Sequence, residues 1–327
     1  VDAYGELAVR PPHAIRFGQF KEPFSFEWQT RDKGLFFAER SMGYDLTPKR
    51  DIGLMAQGGV FGEAIHYGVG LFNGDGVDGS TSGNMHDEPE IAGRLTVRPF
   101  RYVGPTWAKG FQVGGSFTWA EIDLPNVNLD VGATGMAGTD RSLYVLTSNT
   151  KFGVLRDVGR RIRWGLEAAW VHGRLAVAGE VMGLTYTDLK PSGGDVRDAD
   201  FIAGYLSGAF CLTGEQPVLS EGALKPIRPD HFFNPDEGTF GALVLAGRYA
   251  RFEGDGDWIQ ADAHISTESA DAVSLAVNWI LYPMHRIILD YTHTEFSDPL
   301  RVRVHPDGRI DYVDQERVVT VRWSTDF

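Results

Sequence analysis

The last ten residues of the chain, VVTVRWSTDF, alternate between apolar and polar side chains. Apolar residues occupy every second position except Thr325, namely Val319, Val321, Trp323 and Phe327. The positions between them hold Thr320, Arg322, Ser324 and Asp326. Because successive side chains of a strand point to opposite faces, this pattern predicts a strand with one apolar and one polar face. Such a strand, ending on an aromatic residue, is typical of the closing strand of an outer-membrane β-barrel.

About thirteen segments along the chain show this alternation or a β-rich composition, and no long segment has the period of an amphipathic helix. Their approximate bounds are 2–9, 13–20, 51–59, 62–72, 91–99, 110–121, 162–173, 174–187, 199–213, 239–252, 268–281, 285–296 and 315–327. Tight links alternate with long links rich in Gly, Asp, Asn and Pro, at 21–50, 73–90, 122–161, 214–238 and 297–314. This asymmetry is expected of short periplasmic turns and long outer loops.

Composition supports a strand-built membrane protein. The 327 residues include 40 glycines and 12% aromatic side chains, and no stretch approaches the roughly 20 apolar residues that a spanning helix needs. A soluble β-sandwich is the alternative, because it also has many short strands, but it has fewer long loops. We therefore predict an all-β fold, a transmembrane antiparallel β-barrel of the bacterial outer membrane that forms a single domain over residues 1–327.

Charge and motifs exclude several other functions. The net charge of -13 argues against binding nucleic acid, and the single cysteine, Cys211, excludes an intrachain disulfide or a cysteine metal cluster. The nine histidines lack metal-ligand spacing, and no GxSxG motif is present, so we predict no enzyme, no cofactor and no metal site. The Asp- and Gly-rich segments 72–90 and 252–258 could bind Ca²⁺ or bridge to lipopolysaccharide through divalent cations, but ordinary outer loops are the favoured interpretation.

Several stretches resemble the phosphate-selective porin O and P family. They are IRFGQFKEPFSFEWQTRDKGLFFAERSM (15–42), WGLEAAWVHGRLAVAGEV (164–181), GYLSGAFCLTGEQ (204–216), and SLAVNWIL followed by the terminal strand. The resemblance implies a trimer of 16-stranded barrels that passes anions across the outer membrane. It also implies that 21–50 is a constriction loop that folds into the barrel and returns. Because the resemblance begins near the family's fourth strand, we expect about three N-terminal strands to be missing from this chain.

The selectivity of a porin depends on the radius and wall charge of its lumen. Alternation predicts six basic side chains on the inner wall: Arg16, Arg94, Arg98, Arg248, Arg286 and Arg322. It predicts three inward acids: Glu167, Glu180 and Asp290. The constriction segment adds Lys21, Arg31, Lys33 and Arg40 against Glu22, Glu27, Asp32 and Glu39, and we expect Glu39 and Arg40 to anchor the loop. Each wall arginine could instead serve in a structural ion pair or hydrogen bond.

Two departures from the family pattern weaken the case for phosphate selectivity. Trp28 stands where selective members carry a second constriction lysine, and 121–141 contains one arginine, Arg141, where they carry an arginine-rich loop. We predict a weakly to moderately anion-selective porin for small hydrophilic solutes, a homotrimer in contact with lipid and lipopolysaccharide. A phosphate or polyphosphate channel is one alternative. Another is a structural anchor that docks a different envelope protein. The segment 217–241 could cover the trimer axis or the pore mouth, or be an ordinary outer loop, which we favour.

Overall fold

The computed structural model describes residues 2–74, 88–122, 127–132, 142–259 and 265–325. Arg141, Phe327 and most of the Asp- and Gly-rich segment 72–90 lie outside this part of the chain. Among the described residues, no helix has both the length and the apolar character needed to cross a membrane.

Thirteen antiparallel strands form the main path of a 15-stranded sheet, in which each of the thirteen pairs with its neighbours along that path. They are β1 (Ala3–Arg10), β2 (His13–Lys21), β3 (Arg50–Val60), β4 (Ile65–Phe72), β5 (Glu90–Val97), β6 (Phe111–Glu121), β7 (Arg160–His172), β8 (Leu175–Pro191), β9 (Arg197–Cys211), β10 (Ala242–Gly254), β11 (Ser269–Tyr282), β12 (His285–Val304) and β13 (Ile310–Thr325). All thirteen predicted strands are confirmed. The largest difference is in the last hairpin, whose pairing continues to Val304 and Ile310.

Alternation along the strands places apolar side chains outside and polar ones inside. On β11, Val273 and Leu275 are 50% and 59% exposed, whereas Ser274 and Asn278 are buried. On β13, Trp323 is 73% exposed on the same outer face. A soluble protein would bury its apolar residues, so this arrangement argues against the β-sandwich alternative and fits a wall whose outer face meets lipid.

The two ends of the sheet differ in their connections. Residues 11–12, 61–64, 173–174 and 283–284 make tight turns at one end, which the usual asymmetry of barrels identifies as periplasmic. The long connections 22–49 and 122–159 lie at the other end. The segment 212–241 follows β9, which runs parallel to β3, β7 and β11 and so ends where the tight turns are. The prediction that 214–238 is an outer loop is therefore wrong.

Several short elements lie within the connections. The helix α1 spans Phe26–Gln29. The 3₁₀ turns are Asp32–Gly34, Met42–Leu46, Thr106–Ala108, Pro235–Glu237 and Gly256–Trp258. Short strands pair Asn128–Gly132 with Ser142–Thr147, Asn149–Thr150 with Gly153–Asp157, and Leu219–Ser220 with Ala223–Leu224. We call residues 22–49 the inserted segment and Leu219–Leu224 the inner hairpin.

A hydrophobic core fills part of the barrel interior. Leu143 and Tyr144, from the connection between β6 and β7, pack with Phe201 on β9 and Phe252 on β10. Met42 of the inserted segment belongs to the same cluster. Because this core lies against β8–β12, it leaves open space along the inner face of β1–β5, where the candidate site is found.

Candidate functional site

The inserted segment begins with a single helical turn that a wall carboxylate holds in place. Ser25 precedes α1, and its Oγ accepts a hydrogen bond from the Trp28 backbone N at 3.1 Å. The same Oγ donates to Glu180 Oε2 at 3.0 Å. The backbone N–H groups of Phe26 and Glu27 also donate to the Glu180 carboxylate. Glu180 therefore satisfies donors that a helix start leaves unpaired, and it attaches α1 to β8.

Glu27 links the two arms of the inserted segment to the wall. Its carboxylate accepts hydrogen bonds from the Ser41 backbone N at 3.0 Å and from Ser41 Oγ at 2.7 Å. Arg248 Nη1 on β10 forms an ion pair with it at 3.0 Å. Arg248 also donates to the carbonyl oxygens of Glu39 at 3.1 Å and Arg40 at 3.4 Å. These contacts give Glu39 and Arg40 a backbone role in anchoring the segment.

Two further predicted wall arginines bind backbone carbonyls of the inserted segment. Arg286 donates to the carbonyl oxygens of Asp32, Lys33 and Leu35 at 2.8–2.9 Å. Arg322 Nη1 donates to the Ala38 carbonyl at 2.8 Å. A buried segment with little regular structure has carbonyl groups that need donors, and a guanidinium group supplies several at once.

Acidic and amide groups of the wall complete this attachment. The Ala38 backbone N donates to Asp290 Oδ2 at 2.9 Å, and Asn278 Nδ2 donates to the Phe36 carbonyl at 2.6 Å. Together with the arginine contacts, these bonds hold residues 32–41 against β10–β13. Burial raises the pKa of Glu39, although the nearby Arg322 and Arg40 act in the opposite direction.

The remaining predicted constriction residues are Lys21, at the end of β2, and Arg31, Lys33 and Arg40 of the inserted segment. Lys21 Nζ donates to the Trp28 carbonyl at 2.6 Å and lies 4.3 Å from the centre of the indole ring. Arg40 Nη2 forms an ion pair with Asp32 at 2.6 Å. Arg31 and Lys33 are exposed. The buried Trp28 ring therefore provides a surface for the Lys21 ammonium group.

A second segment enters the interior from the periplasmic end. Arg94 forms a buried ion pair with Glu167, with atoms 2.6 Å apart, and donates to the Gly222 carbonyl at 2.6 Å. Arg98 Nη1 donates to the Leu219 carbonyl at 3.0 Å. These two predicted wall arginines thus hold the inner hairpin, just as Arg248, Arg286 and Arg322 hold the inserted segment.

The inserted segment and the inner hairpin meet inside the barrel. The Leu224 backbone N donates to Thr30 Oγ1 at 3.4 Å. Leu219 and Leu224 pack with Phe26 of α1 and Ala169 of β7. Sequence reasoning missed this contact between the inserted segment and the inner hairpin. Its only local signal was the Glu-Gly turn between Leu219 and Leu224, which indicates a hairpin without showing where it folds.

An open cavity of about 420 Å³ lies between these two elements and the inner face of β1–β5. Its basic lining residues are Arg16, Lys21, Arg31, Arg94 and Lys225, and its acidic ones are Asp2, Glu6, Glu63 and Glu221. Arg16 is paired with Glu6 at 2.7 Å, and Lys225 with Glu221 at 2.5 Å. Among the described residues, Lys21 and Arg31 are the lining cations that form no ion pair with a carboxylate.

A buried charge cluster lies where β5 and β7 begin. Glu90 is fully buried and pairs with Arg161 at 2.6 Å and with Arg163 at 2.9 Å. Glu22, also buried, lies beside this cluster, and burial together with the negative charge of Glu90 raises its pKa well above its ordinary value. Alternation on β7 would have predicted both arginines inward, because they share the parity of Glu167. No described group of three or more His, Cys, Asp or Glu side chains could hold a metal ion.

Comparison with known proteins places the chain in a family. Residues 2–305 match the family described as phosphate-selective porin O and P. No curated protein sequence matches the chain. The anion-selective porin from Comamonas acidovorans aligns with a TM-score of 0.51 and 11% identity, over 96% of this chain and 74% of that one. The outer-membrane channel DcaP of Acinetobacter baumannii aligns with a TM-score of 0.51 and 10% identity, over 95% and 73%. These structures support the barrel fold, and the family match shows that the chain belongs to the phosphate-selective porin O and P family of the bacterial outer membrane.

Proposed function

We propose that this porin lets small hydrophilic solutes diffuse through the cavity beside β1–β5, with a weak to moderate preference for anions. In this proposal the segment 21–50 is the constriction loop of a single barrel domain, and the barrel assembles as a homotrimer surrounded by lipid and lipopolysaccharide. The observation that carries the proposal is which of the charged side chains lining the cavity form ion pairs and which do not. Within the described part of the chain, Lys21 and Arg31 form no ion pair with a carboxylate, whereas Arg16, Arg94 and Lys225 each form one.

Two such cations in a narrow passage are enough to give the passage a preference for anions. Low-dielectric walls concentrate the field of a charge in the lumen, so an anion near Lys21 or Arg31 is attracted more strongly than it would be in open water. The Comamonas acidovorans protein is described as anion-selective, which supports the same sign of preference. The anchored arginines, Arg248, Arg286 and Arg322, mainly position the inserted segment in this proposal.

General anion preference fits the lining better than phosphate selectivity. A phosphate site needs several donors that converge on one anion. Among the described lining residues, Arg31 is exposed, and Lys21 already donates to the Trp28 carbonyl. The family name supports phosphate as the second candidate solute. Block of chloride current by low phosphate concentrations would favour that candidate.

The test is the reversal potential of full-length trimers in planar bilayers under a KCl gradient. We expect a stable conductance with an anion-directed reversal potential. Lys21→Gln with Arg31→Gln should move that potential towards cations. The matched control is Arg251→Gln, which removes one positive charge from the outer face of β10. A folded trimer without conductance, or a double variant with an unchanged potential, would contradict the proposal.

A further inference from the structure

We infer that Glu221 and Lys225, carried by the inner hairpin and the residues that follow it, form a balanced charge pair in the passage, in which each charge offsets the effect of the other on passing ions. This inference rests on the proposed channel function and adds a second charged element to it. The hairpin reaches the cavity from the periplasmic end, opposite Lys21 at the end of β2 and Arg31 of the inserted segment. The cavity lining includes Glu221, Ala223, Leu224 and Lys225.

The backbone of the hairpin puts a glutamate where its side chain is poorly suited. Ser220 pairs with Ala223, and the two residues between them have positive φ angles, 54° at Glu221 and 70° at Gly222. Two central residues with positive φ are characteristic of a type I′ turn, which favours Asn, Asp or Gly. A non-glycine residue in this conformation marks a position that the rest of the structure holds in place, and such positions cluster at functional sites.

Contacts on both sides of the turn hold its tip rigidly. Arg94 and Arg98 bind the carbonyls of Gly222 and Leu219. Ser220 Oγ donates to Glu63 Oε2 at 3.2 Å. A Cβ atom added at Gly222 would lie 3.0 Å from Arg94 Nη1, so the guanidinium also packs closely against the turn. The charge at Glu221 is therefore presented from a fixed backbone position.

Glu221 and Lys225 face the passage as a partly exposed pair. Their side chains are 60% and 39% exposed, so both charges can act on ions in the cavity. The hydrogen bond from Lys225 lowers the pKa of Glu221, which keeps the carboxylate ionised at neutral pH. Arg31 and His66 also exert a favourable electrostatic effect on this carboxylate. Glu221 thus offsets part of the attraction that Arg31 offers to anions.

Neutralising Glu221 and neutralising Lys225 should shift the ion selectivity in opposite directions. Glu221→Gln leaves Lys225 unpaired, and we expect the chloride-to-potassium permeability ratio to rise by up to about 25-fold, because one charge met at about 4 Å in water favours chloride by about fivefold and disfavours potassium by about fivefold. Lys225→Gln leaves Glu221 unpaired and should lower the ratio by about the same factor. The double variant should lie close to the wild type, because it removes both charges.

The experiment measures reversal potentials of full-length trimers in a KCl gradient at low and high salt. Glu221→Asn separates charge from backbone strain, because asparagine suits the positive φ. It should reproduce the shift of Glu221→Gln without loss of thermal stability. Glu253→Gln is the matched control, since that carboxylate lies on the outer face of β10. The shifts should shrink at high salt, where charges are screened.

The outcomes separate this inference from the proposed function. Conducting trimers in which the Glu221 and Lys225 variants leave the reversal potential unchanged would overturn the inference alone. The inference also fails if Glu253→Gln shifts the potential as much as Glu221→Gln does. Wild-type trimers that fold but do not conduct would overturn both proposals.

Discussion

The buried ion pair between Arg248 and Glu27 is expected to be the strongest single link between the wall and the inserted segment. Its atoms are 3.0 Å apart, and the side chains are 1% and 7% exposed. Replacing Arg248 with Met keeps much of the apolar stem but removes the guanidinium group, whose Cζ lies 4.3 Å from the centre of the Phe37 ring. It leaves the Glu27 carboxylate without its counter-charge in a buried site. Removing one partner of a buried pair costs about 3–5 kcal/mol, so we expect a loss of this size.

A second substitution should recover part of the loss. Glu27→Gln in the Arg248→Met background removes the uncompensated charge, and the side-chain amide oxygen that it introduces can still accept a hydrogen bond from Ser41. The carbonyls of Glu39 and Arg40 stay without their donor, so recovery should be partial, about 1–3 kcal/mol. The released segment should also widen the passage, which raises single-channel conductance and open-channel noise.

The measurements are thermal unfolding of detergent-solubilised trimers and single-channel recording of the same variants. Arg251→Met is the control, because Arg251 lies on the same strand but is 48% exposed on the outer face. A surface ion pair is worth about 0–1 kcal/mol, so this control should be nearly silent. The reasoning fails if Arg248→Met destabilises no more than the control. It also fails if the double variant loses the full sum of the two single losses.

Four further substitutions, in three predictions, test other parts of the interior. Glu22→Gln should be more stable than the wild type at pH 8 and similar to it below the ordinary glutamate pKa of 4.5. A carboxyl group whose pKa is raised in the folded state stabilises the fold while it is protonated, and this stability is lost as the pH rises from the ordinary pKa through the raised one. Thermal unfolding across pH checks this. Gly222→Ala should destabilise by about 1 kcal/mol or more in the same assay, since φ is +70° there. Arg286→Met should increase open-channel noise more than Arg322→Met, because Arg286 donates three hydrogen bonds to inserted-segment carbonyls and Arg322 donates one; equal noise in the two variants would contradict the anchoring role.

The strands were predictable because their pattern is local. Alternation of apolar and polar residues needs only neighbouring positions to show which side chains share a face. It correctly separated Val273 and Leu275 from Ser274 on β11. The last hairpin was longer than predicted because its outer part has no clear apolar face: Arg301 and Arg303 lie in paired strand there. Pairing with β13, rather than alternation, extends that strand.

Predicting the end of the sheet at which each connection lies required the order and direction of the strands. The segment 214–238 has the length and composition of an outer loop, and these properties favoured the wrong end. Composition indicates that a segment is irregular, but the direction of the preceding strand decides at which end of the sheet the segment begins. Counting the predicted strands from the tight turns would have placed it correctly.

Residue type and strand parity were enough to predict a sheet with a lipid-facing side and arginines on its inner side. Only the tertiary structure decided what those arginines meet. Arg248 binds the Glu39 carbonyl, 209 positions away in the chain, and Arg94 binds the Gly222 carbonyl, 128 positions away. A carbonyl group is present at every residue, so no sequence signal distinguishes the ones that an arginine will bind. The folding of two connections into one barrel determined which carbonyl groups the arginines bind. It also left Lys21 and Arg31 as the lining cations that form no ion pair with a carboxylate among the described residues.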